Sequence, residues 1–375
     1  MTETEKLLCD LIALPSVNPA FLEAGDPNGG EPRVAEFLAE KARRMGLGVE
    51  FKKALRQRSN LLIRMVPKNK ARQRILLAPH LDTVNGTPSQ FVPRRRNGRI
   101  YGRGACDTKG SVAAMVCALS ELAKQGQRPD ATEIVFAGLV DEENNQSGSR
   151  ALAGSGFKAD LAIVGEPTRL QVVTAHKGSL WLRFETKGKS AHGARPELGR
   201  NAVHEMSRIV DLLQTDYATS LRRKSHPLLG RPTVSVGMIS GGTQPNIVPD
   251  QCAILVDRRT LPGETEEGVR REIFKMLKQQ GLRAECSDNK LAPCRPLETN
   301  PKLPLVAQLF REVGQRKPTG VHYFSDAAVL AEGGIPSVVF GPGDIAQAHT
   351  IDEWVELAQL ERAKEMLVTF LRSLP

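Results

Sequence analysis

The sequence predicts an α/β protein whose mixed sheet, with helices on both faces, is interrupted by a smaller ferredoxin-like domain. In the first third of the chain, apolar runs of strand length alternate with helical stripes, which favours a sheet covered by helices. The middle follows the order β-α-β-β-α-β of a ferredoxin-like unit, and the alternation resumes after Pro293. A chain of 375 residues also exceeds what one core usually supports. We therefore predict one domain from residues 1–177 and 290–375, and an inserted domain at 178–289.

Helices are predicted where apolar residues recur every three or four positions. The first has a stripe of Leu7, Leu8, Leu11 and Leu14, and the second ends at Gly46. Further helices are predicted at 109–124, 199–213, 264–278, 303–314 and from 354 onward. Strands are predicted at 60–66, 75–79, 134–140, 161–165, 180–186, 233–239, 252–257, 282–286 and 337–341.

The chain is basic, with a formal net charge of +10 from 52 basic and 42 acidic residues. Part of this charge lies in Arg94, Arg95, Arg96 and Arg99, on either side of Asn97-Gly98. An Asn-Gly pair between strand-like residues is typical of a tight hairpin. No recognition-helix or base-stacking motif accompanies the charge. We therefore predict a solvated hairpin rather than a nucleic-acid site.

The six cysteines are scattered and form no close metal-type pair. In a chain of this size, that pattern indicates reduced thiols and a cytoplasmic location. The residues after Met1 lack the features of a signal peptide, and no apolar run is long enough for a membrane span. We expect neither membrane nor nucleic acid among the partners.

Potential metal ligands follow one another in the stretches APHLDTV, YGRGACDTKG, GLVDEENNQSGS, AIVGEPT and GPGDIAQAHT. They are His80, Asp82, Asp107, Glu142, Glu143, Glu166 and His349. Oxygen and imidazole ligands without thiolate indicate a catalytic site for zinc, cobalt or manganese rather than a closed structural zinc. Several of the carboxylates follow apolar strands, where bare charges are costly unless they bind cations. Two divalent ions and a hydrolytic water are the interpretation we adopt.

Other interpretations remain open for single residues of this set. His80 and Asp82 could form a buried hydrogen-bonded pair, and Glu166 could cap a helix before Pro167. Either glutamate of the adjacent pair could be a surface acid, as we expect Asp141 to be.

Taken together, these stretches resemble a zinc metallopeptidase family that includes acetylornithine deacetylase, succinyl-diaminopimelate desuccinylase, aminoacylase and glutamate carboxypeptidase. The resemblance covers nearly the whole chain in order, and its motifs are jointly specific. The stretch FGPGDIAQAHTIDEW is most similar to acetylornithine deacetylases. The insert is similar to the dimerisation or lid domain of the family through KGKSAHGARPELGRNA and GGTQPNIVPD. A homodimer is therefore expected.

The resemblance implies two metal sites that share one aspartate. One ion would be bound by His80, Asp107 and Glu166, and the other by Asp107, Glu143 and His349. Zinc is the metal expected, with cobalt or manganese as alternatives. A bridging carboxylate suits two cations about 3.5–4 Å apart.

The resemblance also implies roles beside the ions. Asp82 would accept the N–H of the His80 imidazole, and Glu142 would be the general base. The peptide bond Asp107–Thr108 is expected to be cis.

In the insert, the resemblance assigns three residues to the substrate. His192 would reach the active site of the partner protomer and polarise the scissile carbonyl, with Asn246 nearby. Arg258 would pair with the α-carboxylate of the substrate, a task that suits a guanidinium. The choice between Arg258 and Arg259 is open.

The function expected is hydrolysis of a small N-acyl amino acid, with N-acetylornithine as the leading substrate. Desuccinylases of this family usually have Gly-Thr before a Ser-Asp pair, whereas this chain has Tyr323-Phe324 before Ser325-Asp326. That departure disfavours a succinyl substrate and also alters the expected acyl pocket. The alternatives are a desuccinylase, a dipeptidase or carboxypeptidase, and a catalytically silent homologue that serves as a binding module.

Overall fold

The computed structural model describes residues 1–289 and 293–375, which form two compact units. The first unit comprises Met1–Thr174, Thr299–Thr319 and Ser325–Pro375. The second comprises Ala175–Glu298 and Gly320–Phe324. The predicted domain boundary at residue 290 lies outside the described residues.

The elements are numbered in chain order. The α-helices are α1 Glu3–Ile12, α2 Pro32–Arg44, α3 Lys109–Lys124, α4 Ser147–Gly154, α5 Ala202–Leu212, α6 Ala218–Leu221, α7 Glu266–Gln279, α8 Pro304–Val313, α9 Asp326–Glu332 and α10 Leu357–Arg372. The strands are β1 Gly48–Leu55, β2 Arg58–Met65, β3 Gln73–Pro79, β4 Arg94–Arg96, β5 Arg99–Tyr101, β6 Thr132–Gly138, β7 Leu161–Gly165, β8 Val173–His176, β9 Gly178–Lys187, β10 Thr233–Gly241, β11 Gln251–Thr260, β12 Glu285–Asp288, β13 Leu297–Glu298, β14 Thr319–Val321, β15 Ser337–Val339 and β16 Trp354–Glu356. Among the described residues, no helix combines the length and the apolar character that a membrane span requires.

The main sheet of the first unit contains strands in the order β1-β2-β6-β3-β7-β15. Strands β6, β3, β7 and β15 run parallel, whereas β1 and β2 are antiparallel, so the predicted mixed sheet is confirmed. The central strands are apolar runs buried on both faces, as parallel strands under helices must be. Residues such as Ile75 and Phe136 share one apolar cluster with α1, α2, α3, α8 and α10. Alternate residues such as Leu76 are also buried, and α4 and α9 contact strands of this sheet.

A small antiparallel sheet in the first unit has the order β16-β5-β4. Strands β4 and β5 are joined at Asn97 and Gly98, whose φ angles are 50° and 72°, so the predicted hairpin is confirmed. The helix predicted from residue 354 is wrong in its first three residues. Val355 pairs with Ile100, and both side chains are fully buried. This strand pairing keeps residues 354–356 extended, so α10 begins only at Leu357.

The second unit contains a four-stranded antiparallel sheet in the order β10-β11-β9-β12, and helices α5 and α7 pack on it. Alternate residues of β9 and β11, among them Phe184 and Ile254, join Met206 and Ile273 of the helices in one apolar cluster. The β-α-β-β-α-β order predicted from the sequence is therefore present. Strand β10 lies at the edge of this sheet and is mostly exposed.

Candidate metal centre

Three neighbouring parallel strands end at the residues predicted to bind metal. His80 directly follows β3, Glu142 and Glu143 lie shortly after β6, and Glu166 directly follows β7. The carboxyl ends of parallel strands share one edge of a sheet, which is where ligand sites form in open α/β sheets. His80, Glu142 and Glu166 are buried, and Glu143 is partly buried.

Two loops bring the remaining predicted ligands to this edge. Asp107 lies in the loop between β5 and α3, and the peptide bond Asp107–Thr108 is cis, as predicted. His349 lies in the loop before β16, with a φ of 61° and an exposed side chain. Because β5 and β16 pair antiparallel, the end of one adjoins the start of the other.

The five predicted ligands meet in one cluster around Asp107. Its Oδ1 lies 3.0 Å from His80 Nε2, and its Oδ2 lies 3.2 Å from His349 Nε2. Glu143 Oε2 lies 3.2 Å from His349 Nε2. Glu166 Oε1 lies 3.9 Å from His80 Nε2. Asp107 thus presents one oxygen to each histidine.

The cluster concentrates negative charge in a buried place. Burial raises the pKa of Glu142 well above its ordinary value, and the Glu166 carboxylate raises it further. Burial likewise raises the pKa of Glu166 and Glu143. For Asp107, burial acts in the same direction, but hydrogen bonds with His349 and His80 outweigh it and lower the pKa. The hydrogen bonds with Asp107 and Glu143 raise the pKa of His349 to about 10.

The donors fit divalent cations. Donor atoms of His80, Asp107 and Glu143 all lie within 4.8 Å of one another. Imidazole nitrogens and carboxylate oxygens without thiolate suit zinc, cobalt or manganese. Buried carboxylates that raise one another's pKa are stabilised when cations lie between them.

Asp82 organises the cluster differently from the prediction. His80 Nδ1 lies 2.9 Å from the backbone oxygen of Asp82 but 3.6 Å from its carboxylate Oδ1, so the hydrogen bond predicted for the side chain is made by the backbone. The carboxylate instead accepts the backbone N–H groups of Glu142 and Glu143, each at 3.1 Å. Asn18 Nδ2 donates to Asp82 Oδ2 at 2.7 Å. Asp82 therefore fixes the loop that carries the adjacent glutamates.

The expectation that Asp141 is a surface acid is wrong, because its side chain is buried. Arg58 Nη1 and Asn18 Nδ2 both donate to Asp141 Oδ1 at 3.0 Å. Arg58 is also bidentate with the buried Glu31 carboxylate. Sequence reasoning missed Asn18, Arg58 and Glu31, since they lie in no motif and act from distant parts of the chain.

In the second unit, His192 and Asn246 lie on two neighbouring loops and are exposed. The backbone oxygen of Asn246 accepts a hydrogen bond of 2.7 Å from Gly193 N, and His192 pairs with Ile247 across the same loops. His192 Nδ1 accepts from Ala194 N at 3.1 Å, which leaves Nε2 pointing away from that contact. The structure thus brings these two predicted residues together.

Arg258 is not available to a substrate in this structure, contrary to the role assigned to it. Its side chain is 0% exposed, on the helix-facing side of β11. Its guanidinium donates to Tyr217 Oη at 3.0 Å, to Glu264 Oε1 at 2.6 Å and to the backbone oxygen of Arg259. Arg259, on the opposite face of the strand, is partly exposed.

The pattern of peptidase family M20/M25/M40 matches residues 76–373. The chain belongs to this family. Membership confirms the resemblance to metallopeptidases and shows that the chain is a metal-dependent amidohydrolase. It also implies that the chain binds divalent metal ions. An acetylornithine deacetylase of Myxococcus xanthus is 34% identical over 280 residues, 72% of each chain. That of Proteus mirabilis (strain HI4320) is 29% identical over 376 residues, 96% of this chain and 94% of the relative.

Solved structures share the whole fold. The aminopeptidase PepT from Bacillus cereus ATCC 10987 has a TM-score of 0.78 at 22% identity and covers 99% of this chain and 97% of its own. An M20 family metallo-carboxypeptidase, Sso-CP2 from Sulfolobus solfataricus, has a TM-score of 0.78 at 19% identity, with 99% of both chains covered. The predicted α/β fold class is thereby confirmed.

Proposed function

We propose that this chain is a two-metal hydrolase that cleaves the amide of an N-acyl amino acid, with N-acetylornithine as its substrate. The observation that carries the proposal is the placement of Asp107, whose two oxygens face His80 and His349 at 3.0 and 3.2 Å. Relatives named acetylornithine deacetylase at 27–34% identity support the choice of substrate.

The ligand sets we propose are those expected from the sequence. His80, Asp107 and Glu166 would hold one ion, while Asp107, Glu143 and His349 would hold the other. Zinc is the metal we propose, with cobalt or manganese as alternatives. When bound, such ions act as Lewis acids that withdraw electron density from an amide carbonyl.

Glu142 is the group that we propose moves the proton. It is buried beside the ligand Glu143, and Asp82 accepts its backbone N–H at 3.1 Å, which fixes its position. Glu142 would take a proton from the attacking water and deliver it to the departing amine nitrogen. The products are a carboxylate and a free amine, so the atoms of one water are consumed.

Arg259 replaces Arg258 in our proposal as the residue that pairs with the substrate carboxylate. Its guanidinium lies 5.9 Å from the ring centre of Phe324. Burial and the positive charges of Arg259 and Arg258 lower the pKa of Lys177. Burial and the charge of Lys177 lower the pKa of His322. Arg259 and Lys177 of the second unit thus lie near each other, and Arg259 Nε also donates to Asp257 Oδ2 at 3.0 Å. A bound carboxylate would stabilise these two positive charges.

We further propose a homodimer formed through the second unit, which is the insert predicted as the dimerisation or lid domain. Strand β10 exposes 64% of Met238 and 59% of Ile239 at an unpaired sheet edge. Natural proteins rarely leave such edges open, and a second copy could cover this one about a two-fold axis. His192 would then serve the partner's ions, with Asn246 beside it. Cytoplasmic location stays a prediction. With N-acetylornithine as its substrate, the chain would act in arginine synthesis.

A metal-replete activity screen tests the function. The chain is loaded with zinc, cobalt or manganese and offered N-acetylornithine, N-succinyl-diaminopimelate and a dipeptide series. We expect the largest kcat/KM for N-acetylornithine. Faster cleavage of a succinyl or dipeptide substrate would replace the proposed substrate, and turnover of none would favour a silent binding module.

A further inference from the structure

One buried carboxylate at the centre belongs neither to the proposed ligands nor to the proposed proton transfer. Glu353 is 1% exposed and lies four residues after His349. Five hydrogen-bond donors of one loop, residues 102–107, converge on it. They are Cys106 N at 2.9 Å and Asp107 N at 3.0 Å on Oε1, Gly104 N at 3.0 Å and Arg103 Nη1 at 2.7 Å on Oε2, and Gly102 N at 3.0 Å on the backbone oxygen.

This loop needs an outside acceptor because its own backbone is irregular. Gly104 has a φ of 82°, so the chain turns sharply before Asp107 and several N–H groups point away from the loop. A buried N–H left without an acceptor destabilises the folded state, because it loses its hydrogen bonds to water and gains none. A carboxylate can accept from several donors at once, and its charge strengthens each bond. Glu353 supplies that acceptor.

The same residue joins the two loops that complete the cluster. Trp354 pairs with Tyr101, so the loop that leaves β5 and the loop that enters β16 lie at one end of the small sheet. Glu353 stands at that end, between the segment that carries His349 and the segment that carries Asp107. A shift of Glu353 would therefore move these two ligands relative to each other.

We propose that Glu353 is a positioning residue that fixes the Asp107 carboxylate relative to His349 before ions bind. It acts through the backbone N–H of Asp107 and touches no reacting atom. The inference rests on the proposed metal site, so its test must separate a misplaced Asp107 from a missing site.

The test compares Glu353→Gln with a matched control, Glu133→Gln. Glu133 is also a buried glutamate, but it pairs with Arg64 and Arg74 near the start of β6, away from the ligand end. The glutamine amide at 353 keeps the volume yet turns an NH2 group toward two N–H donors. Both variants and the parent chain are titrated with Co²⁺ and followed by visible absorption, and hydrogen exchange of residues 102–107 is measured without metal.

For Glu353→Gln, we expect Co²⁺ affinity to fall by roughly 10- to 100-fold, the usual effect of losing a group that orients a ligand. The absorption of the saturated protein should change, and the loop amides should exchange faster. Glu133→Gln should match the parent in all three measurements. A folded Glu353→Gln with parental affinity and spectrum would overturn the proposal.

If Glu353→Gln does not fold, Glu353→Asp is tested in its place. Weaker Co²⁺ binding with a changed absorption spectrum would support the proposal, and parental affinity and spectrum would overturn it. The aspartate keeps the charge but is one methylene too short to reach all of the donors. A parent chain that binds no Co²⁺ would instead overturn the metal site, and this inference with it.

Discussion

In the first unit, His80, Asp82 and Asp107 are buried and form hydrogen bonds with groups from several parts of the chain, whereas in the second unit His192 and Asn246 are exposed on loops. A buried cluster of this kind has its geometry set within one chain. Exposed loops with few hydrogen bonds are suited to contact a substrate or a partner that then covers them. The difference fits the function that we propose, in which the first unit binds the ions and moves the proton, and the second unit offers groups that a substrate or a partner would cover.

The largest effect is expected from a substitution in the buried cluster of the first unit. Glu142→Ala should lower kcat by about 10²- to 10⁴-fold, the contribution of a positioned acid–base group, while KM changes little. Metal content, measured by atomic emission, and the melting temperature should stay near those of the parent. Near-normal turnover by the metal-loaded variant would remove Glu142 from the mechanism.

The role of the exposed loops of the second unit is tested by mixing two variants that are each expected to be inactive, His192→Ala and Glu142→Ala. If His192 serves the partner's centre, random exchange of subunits should restore about a quarter of parental activity, because half of the dimers are mixed and each contains one complete site. Exchange is verified with chains of different mass. Verified exchange without recovered activity would place His192 in its own chain's site or outside the reaction.

The two adjacent arginines of β11 allow a buried and a partly exposed side chain to be compared within one strand. Arg258→Met should destabilise the fold by about 3–5 kcal/mol, since it leaves the buried side of Glu264 without its arginine. Arg259→Met should leave the melting temperature nearly unchanged and raise KM by roughly 10- to 100-fold, through loss of a charged hydrogen bond to substrate. The reverse pattern in thermal unfolding and kinetics would restore Arg258 as the substrate-binding residue.

The smallest effect concerns a buried histidine outside the centre. Burial lowers the pKa of His176 to about 4, and its Nε2 has no hydrogen-bond partner among the described residues. In the unfolded chain the imidazole binds a proton below about pH 6.5, so the folded state loses up to about 3 kcal/mol as the pH falls from 6.5 to 4. His176→Leu should flatten this loss in denaturant unfolding, whereas the exposed control His204→Asn should not. Equal acid sensitivity of both variants would contradict the assignment.

The convergence of the proposed ligands could be predicted from the sequence, because polar residues that directly follow buried strands are easy to recognise. An apolar run followed by His80, or by Glu166, places a polar group at the end of a buried strand, and parallel strands gather such ends at one edge. The pattern of the insert was equally direct, since its strands alternate and its helices have one apolar stripe. Local periodicity was therefore enough wherever neighbours in sequence determine the structure.

Other residues could not be predicted because their partners are distant in sequence. Asn18, Arg58 and Glu353 act on backbone or carboxylate groups that no local pattern links to them. Arg258 is different, because a usable signal was present. Cys252, Ile254 and Val256 of β11 face the helices, and Arg258 has the same parity as these inward residues. Strand parity would have assigned Arg259 to the open face.

The pairing of β5 with β16 has a consequence for the order in which the centre can form during synthesis. His80, Asp107, Glu143 and Glu166 all leave the ribosome well before His349 and Glu353, which belong to the last part of the chain. Until that segment is made, the loop of residues 102–107 lacks its acceptor, and the cluster lacks the imidazole of His349. A nascent chain would therefore carry an incomplete cluster, and loading with the two ions that we propose would be a late step that must wait for the segment with His349 and Glu353 to dock.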